Sequence, residues 1–129
     1  MTRVHKILVV DDESTIADTV AAILKQNGLI VYVAYSGEGA IEIAAEIEPD
    51  LVLSDVVMPD KNGIEVAKSI SKRFPNCKIL LFSGNADLST RVRHYDHDWE
   101  ILAKPLHPCD LLAMIDEWRL SLCDVREVS

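Results

Sequence analysis

The chain has 129 residues, 49% of them apolar and 26% charged, which is enough for one buried core and excludes wholesale disorder. Thirteen Lys and Arg against 21 Asp and Glu leave a net charge of −8, so this domain is not expected to hold a nucleic-acid backbone, whose phosphates need clustered cations. No apolar run approaches the ~20 residues needed to cross a bilayer, so no membrane partner is expected. Three widely spaced cysteines (Cys77, Cys109, Cys123), with no CxxC, argue against a disulfide framework or a zinc site, and a reducing cytoplasm fits best.

Along the chain, short apolar runs alternate with segments of helical period. Ile7, Leu8, Val9 and Val10 form a continuous run that stops at Asp11 and Asp12, as in a strand covered on both faces. Ile16, Val20, Ile23 and Leu24 then recur as on an amphipathic helix, with Ser14 as its N-cap and Asn27-Gly28 as its end. A second strand over residues 30–34 leads to a helix capped by Ser36, with Ala40, Ile43, Ala44 and Ile47 inward, stopped by Pro49. The third strand, residues 50–54, closes on Asp55. A loop through Met58, Pro59, Asp60, Lys61, Asn62 and Gly63 enters a helix with Ile64, Ala67, Ile70 and Phe74 inward, ended by Pro75.

The fourth strand, residues 79–82, ends at Ser83-Gly84. The next segment keeps a weak helical period through Leu88, Val92 and Tyr95, but is mostly polar. Residues 99–102 read as a short fifth strand before Lys104-Pro105. The last helix starts near Pro108, where proline suits a first turn, with Leu111, Ile115, Trp118 and Leu122 inward. Five strand-then-helix units imply an α/β fold with a parallel sheet, because each return to a parallel neighbour passes through a helix. An eight-unit barrel needs ~250 residues, so an open, doubly wound sheet remains, and such sheets build their sites at the carboxyl ends of the strands.

The strand ends carry Asp11 and Asp12, Tyr35-Ser36, Asp55, Ser83 and Lys104. Taken singly these are ordinary: an Asp after a strand caps a turn or a helix, and Lys104 could be any surface lysine. Together they are not what solubility alone produces. If the first and third strands are neighbours, three carboxylates converge and need counter-charge. Lys104 supplies one unit, and a hard divalent ion with oxygen ligands, most plausibly Mg²⁺, would supply two more.

With these residues the sequence resembles the CheY-like receiver domains of bacterial response regulators over residues 4–122, with 123–129 as a short tail. The resemblance rests on residues 7–13, on 49–55 with Met58-Pro59 and Gly63, on Ser83-Gly84 and on Lys104-Pro105. It implies a five-stranded parallel sheet of order 2-1-3-4-5 and a cytoplasmic signalling switch rather than an enzyme. Asp55 would accept a phosphoryl group from a sensor histidine kinase or a phosphotransfer protein. Asp12 and Asp55 would bind Mg²⁺ with the Val57 carbonyl, and Asp11 would act mainly through a metal-bound water. Lys104 would pair with the phosphoryl group, Ser83 would move to hydrogen-bond it, and the Lys104-Pro105 bond would be cis. Signalling would then pass through the face of strands four and five to a downstream protein that the sequence does not name.

Two features depart from the family pattern. Ile101 stands three residues before the site lysine, where most receivers carry Tyr or Phe, and Tyr95-Asp96-His97-Asp98 replaces the common Gly-Ala loop. Val57 and Asn85, two residues after Asp55 and Ser83, occupy positions that influence water access in the family; Val57 offers no side-chain hydrogen bond to an attacking water, so slow self-dephosphorylation is expected. His94 and His97, at an i, i+3 spacing, read as exposed loop residues rather than a metal pair, and the cysteines as small core or boundary residues. Residues 123–129 are too few for a further domain, so a stand-alone receiver is expected.

Two rival readings stand beside this one. A receiver-like binding module independent of phosphorylation is compatible with Ile101. A haloacid dehalogenase-type phosphohydrolase is loosely echoed by Asp11-Asp12-Glu13-Ser14-Thr15, but Glu13 stands where a second Asp is needed.

Overall fold

The computed structural model describes residues 5–84, 99–103 and 107–128. Its elements in chain order are β1 (Lys6–Val10), α1 (Ser14–Gln26), β2 (Ile30–Ala34), α2 (Gly37–Ile47), β3 (Leu51–Asp55), α3 (Gly63–Arg73), β4 (Lys78–Ser83), β5 (Glu100–Ala103) and α4 (Pro108–Val128). The five strands form one parallel sheet in the order β2-β1-β3-β4-β5, the doubly wound arrangement expected from the sequence.

The continuous apolar runs are explained by what covers the sheet. Alternate residues of each strand serve opposite faces. Leu8, Val10, Val52, Ile79 and Leu81 pack with Ala40 and Ala44 of α2 and Val66, Ala67 and Ile70 of α3. Ile7, Val9, Leu51, Leu53 and Leu80 pack with Ala17, Ala21 and Leu24 of α1 and Leu111 and Ile115 of α4. Each fully buried Leu or Ile contributes about 1.5–3 kcal/mol, so the two apolar layers together dominate the stability of the domain.

Several local expectations are revised. The N-cap of α1 is Glu13, not Ser14, and its side chain makes no capping bond; Ser14 is already helical. Ile16 does not point inward: it is 36% exposed, and the buried stripe is Ala17, Ala21 and Leu24. The helix is turned so that its small residues face the sheet, which allows close approach. Val66, absent from the expected inward face of α3, is fully buried, while Phe74, expected inward, does pack against that core layer as the half-buried C-cap of the helix. Helix α4 runs on to Val128, through most of the stretch expected to be a short tail.

Other local signals hold. Ser36 accepts from the Gly39 amide at 3.0 Å as the N-cap of α2, and Asn62 does the same for α3 through the Glu65 amide at 2.9 Å. Gly28 takes φ 81°, the left-handed conformation that closes α1. The expected helix around Leu88, Val92 and Tyr95, with His94 and His97, lies outside the described residues. Among the described residues no helix is long and apolar enough to cross a membrane.

Candidate functional site

The register of the sheet brings the acidic strand ends together. Val10 of β1 is level with Ser54 of β3, so the residues that follow, Asp11 and Asp55, end adjacent strands side by side. One carboxylate oxygen from each of Asp11, Asp12 and Asp55 can be chosen so that all lie within 4.8 Å of one another. Asp11 is 4% exposed, Asp55 half-buried and Asp12 exposed, so the cluster runs from the base of a cleft to its rim.

Backbone bonds fix these positions. Asp11 donates its amide to the Ala34 carbonyl at 3.2 Å, and its Oδ1 accepts from the Glu13 amide at 3.0 Å. Asp11 therefore turns the chain from β1 into α1, as an aspartate two residues upstream of an amide commonly does. On the other strand, the Val56 amide donates to the Phe82 carbonyl at 2.9 Å, extending the β3–β4 ladder beyond Asp55. The Gly63 amide donates to the Val56 carbonyl at 2.7 Å and closes the loop back on the end of β3. A Cβ on Gly63 would collide with the Asp55 carbonyl, which is why glycine is required there.

At the separation found here, two ionised carboxylates such as Asp11 and Asp55 repel by roughly 3 kcal/mol at an effective dielectric near ~20. A cation between them removes that cost. An all-oxygen set of carboxylates with one member open to water fits a hard divalent ion that keeps several waters, so the donors present suit Mg²⁺.

Of the other expected site residues, Ser83 ends β4, 4% exposed and one residue beyond the Phe82 that pairs with Asp55. It is level with Ala103 on β5, the residue before Lys104. Lys104, Pro105 and Asn85 lie outside the described residues. The Val57 side chain is 62% exposed. Ile101 is half-buried, pairs with Leu81 and packs against the core layer beneath α2 and α3. Cys77 is half-buried, and burial first, with the Asp50 charge second, pushes its thiol up to about 12. Cys109 is exposed, against the expectation of a core or boundary position, while the side chain of Cys123 lies outside the description.

Two further features were not evident in the sequence. A cavity of about 450 Å³ opens next to the cluster, with Ile16, Val20, Phe82 and Leu111 among its lining residues. Asp60, read from the sequence as a loop residue, reaches the start of α2: its Oδ1 accepts from the Gly37 amide at 3.1 Å and its Oδ2 from the Glu38 amide at 2.9 Å. These contacts join residues more than twenty positions apart in the chain, and no local pattern signals them.

A doubly wound sheet of this order with an acidic cluster at its carboxyl edge defines a flavodoxin-like, CheY-like fold. The family model for the response regulator receiver domain matches residues 7–116, and the chain belongs to that family, the signalling modules of two-component systems. It is similar to a CheY-like response regulator receiver domain protein from Methanospirillum hungatei JF-1, with 28% identity, a TM-score of 0.83 and coverage of 98% of this chain and 100% of that one. A receiver domain protein from Clostridium thermocellum is 30% identical, with a TM-score of 0.82 over 93% of this chain and 99% of the other. The Vibrio cholerae chemotaxis protein CheY4 is 26% identical, with a TM-score of 0.79 over 89% and 98% of the two chains.

Proposed function

We propose that Asp55 is the phosphoacceptor of a Mg²⁺-dependent receiver within a domain spanning residues 4–122. The observation that carries this reading is the convergence of Asp11, Asp12 and Asp55 within 4.8 Å at the carboxyl ends of β1 and β3. Asp11, Asp12, Asp55 and the Val57 carbonyl would hold the ion. When bound, the ion supplies charge neutralisation for the cluster and for an incoming phosphoryl group.

The chain's own residues do the rest. An Asp55 oxygen attacks phosphorus as the bond from phosphorus to the donor's imidazole nitrogen breaks. The group arrives as an acyl phosphate, and the departing imidazole takes its proton from solvent. The Asp11 carboxylate is held by the Glu13 amide, and the backbone that carries Asp55 is fixed by the loop that Gly63 closes on Val56, so little of the site has to be ordered during transfer. The new phosphoryl adds negative charge and acceptor oxygens beside the end of β4, and Ser83 and Lys104 are the residues that answer it. The partners are a histidine kinase or phosphotransfer protein upstream and a protein target downstream, reached through the β4–β5 face.

Borohydride converts an acyl phosphate on aspartate to homoserine. Treatment after incubation with acetyl phosphate and Mg²⁺, followed by peptide mass mapping, should find homoserine at position 55. Homoserine at position 11 would favour the dehalogenase-type reading, and none at any aspartate would favour a module that works without phosphorylation.

A further inference from the structure

The loop between Asp55 and α3 is tied at three points, and Val57 lies between them. At its base, Val56 bonds to Phe82 and Gly63 bonds back to Val56. Met58 is anchored by its side chain, 7% exposed within the core layer of α2 and α3. At its outer end, both oxygens of Asp60 accept from the first amides of α2. The approach is close on both sides: a Cβ on Gly37 would lie 2.7 Å from Lys61 Cβ and 2.8 Å from the Lys61 carbonyl oxygen. With 62% of its surface exposed, the Val57 side chain buries little of its own, so the direction of its carbonyl depends on these flanking ties.

We propose that Asp60 is a positioning residue for the divalent-cation site: by clamping the β3–α3 loop to the start of α2, it fixes the Val57 carbonyl as the site's backbone ligand. The inference rests on the reading of Asp11, Asp12, Asp55 and Val57 as the Mg²⁺ site. The carboxylate suits the task because it takes two amides at once and meets the positive end of a helix. Bonds from the Glu38, Lys61 and Gly37 amides hold the Asp60 carboxyl down to about 2, so the clamp is ionised throughout the neutral range.

The test is calorimetric titration of the full chain with Mg²⁺, for wild type, Asp60→Ala, Asp60→Asn and Asp60→Glu, with a melting temperature for each. Groups that orient a metal ligand typically cost about 10–100-fold in affinity when lost. Asp60→Ala should weaken Mg²⁺ binding about tenfold. Asp60→Asn, which keeps one acceptor, should fall between it and wild type. Asp60→Glu keeps the charge but misplaces it by one methylene, and should bind more weakly than wild type; binding equal to wild type would mean that charge alone matters and would overturn the clamp.

Ile70→Val, a core change in α3, supplies a destabilised control whose Mg²⁺ affinity should stay unchanged; a loss there matching Asp60→Ala would reduce the effect to general stability and overturn the proposal. If Asp60→Ala does not fold, Asp60→Asn decides, and an unchanged affinity overturns the clamp. Wild-type protein that binds no Mg²⁺ overturns the site itself and the clamp with it, whereas wild-type binding with unaltered variants overturns the clamp alone.

Discussion

Replacing Gly63 with alanine sets two effects of opposite sign against each other at the base of the site. Gly63 is the first residue of α3, and its φ is not positive, so alanine meets no backbone strain and gains up to about 1 kcal/mol in helix propensity. Against this, its Cβ collides with the Asp55 carbonyl and comes within 3.0 Å of Val56 Cα, and backbone atoms cannot rotate away as a side chain can. Overpacking of this kind costs about 1–3 kcal/mol, and displacement strains the 2.7 Å bond from Gly63 to Val56, worth about 1 kcal/mol more. Repulsion wins by about 2 kcal/mol. With an unfolding entropy of about 2.1 cal/mol/K per residue over 129 residues, that is a fall in Tm of about 7 °C. Thermal unfolding followed by circular dichroism measures it. Gly84→Ala is the control, since among the described residues nothing lies within 4 Å of its added Cβ and its φ is not positive, and its Tm should stay within about 2 °C of wild type. A Gly63→Ala protein as stable as wild type, or more so, would mean that helix propensity alone governs this position.

Other outcomes follow from single residues. Glu48 ends α2 in the left-handed conformation at φ 53°, so Glu48→Gly should raise stability by about 1 kcal/mol in urea denaturation; a decrease would mean that the residue is not strained. The Cys77 thiol, pushed up to about 12, should resist iodoacetamide at pH 8 while exposed Cys109 reacts, and equal alkylation by peptide mass analysis would contradict the burial. Asp60 is held down to about 2 in the folded state, so its contribution is present above the unfolded value of about 4 and lost as pH falls towards 2. The Tm gap between wild type and Asp60→Asn should close over that window, and a gap constant from pH 6 to pH 2 would refute the ionised cap.

The parts of the fold that repeat locally were legible in the sequence. Continuous apolar runs such as residues 7–10 and 51–53 are buried on both faces because helices cover both faces of the sheet, and Ser36 and the Asn27-Gly28 pair mark helix ends by local hydrogen bonding. The candidate site was legible because strand ends are readable in one dimension and a parallel sheet aligns them in three; Asp11, Asp12 and Asp55 needed only the adjacency of β1 and β3. What escaped depends on tertiary detail. The rotation of α1 that exposes Ile16 and seats Ala17 and Ala21 depends on how closely the helix approaches the sheet, which hydrophobic period alone does not specify. Asp60 looked like a turn residue because its partners, Gly37 and Glu38, belong to another element.

Whether the acidic cluster loads a phosphoryl group on Asp55 can be read from intact-mass spectrometry. The protein is incubated with acetyl phosphate, with and without Mg²⁺, beside Asp55→Asn. Wild type should gain the mass of one phosphoryl group with Mg²⁺ only, and the variant under neither condition. An equal gain by Asp55→Asn, or no gain by wild type where a known receiver is phosphorylated, would contradict that role for Asp55.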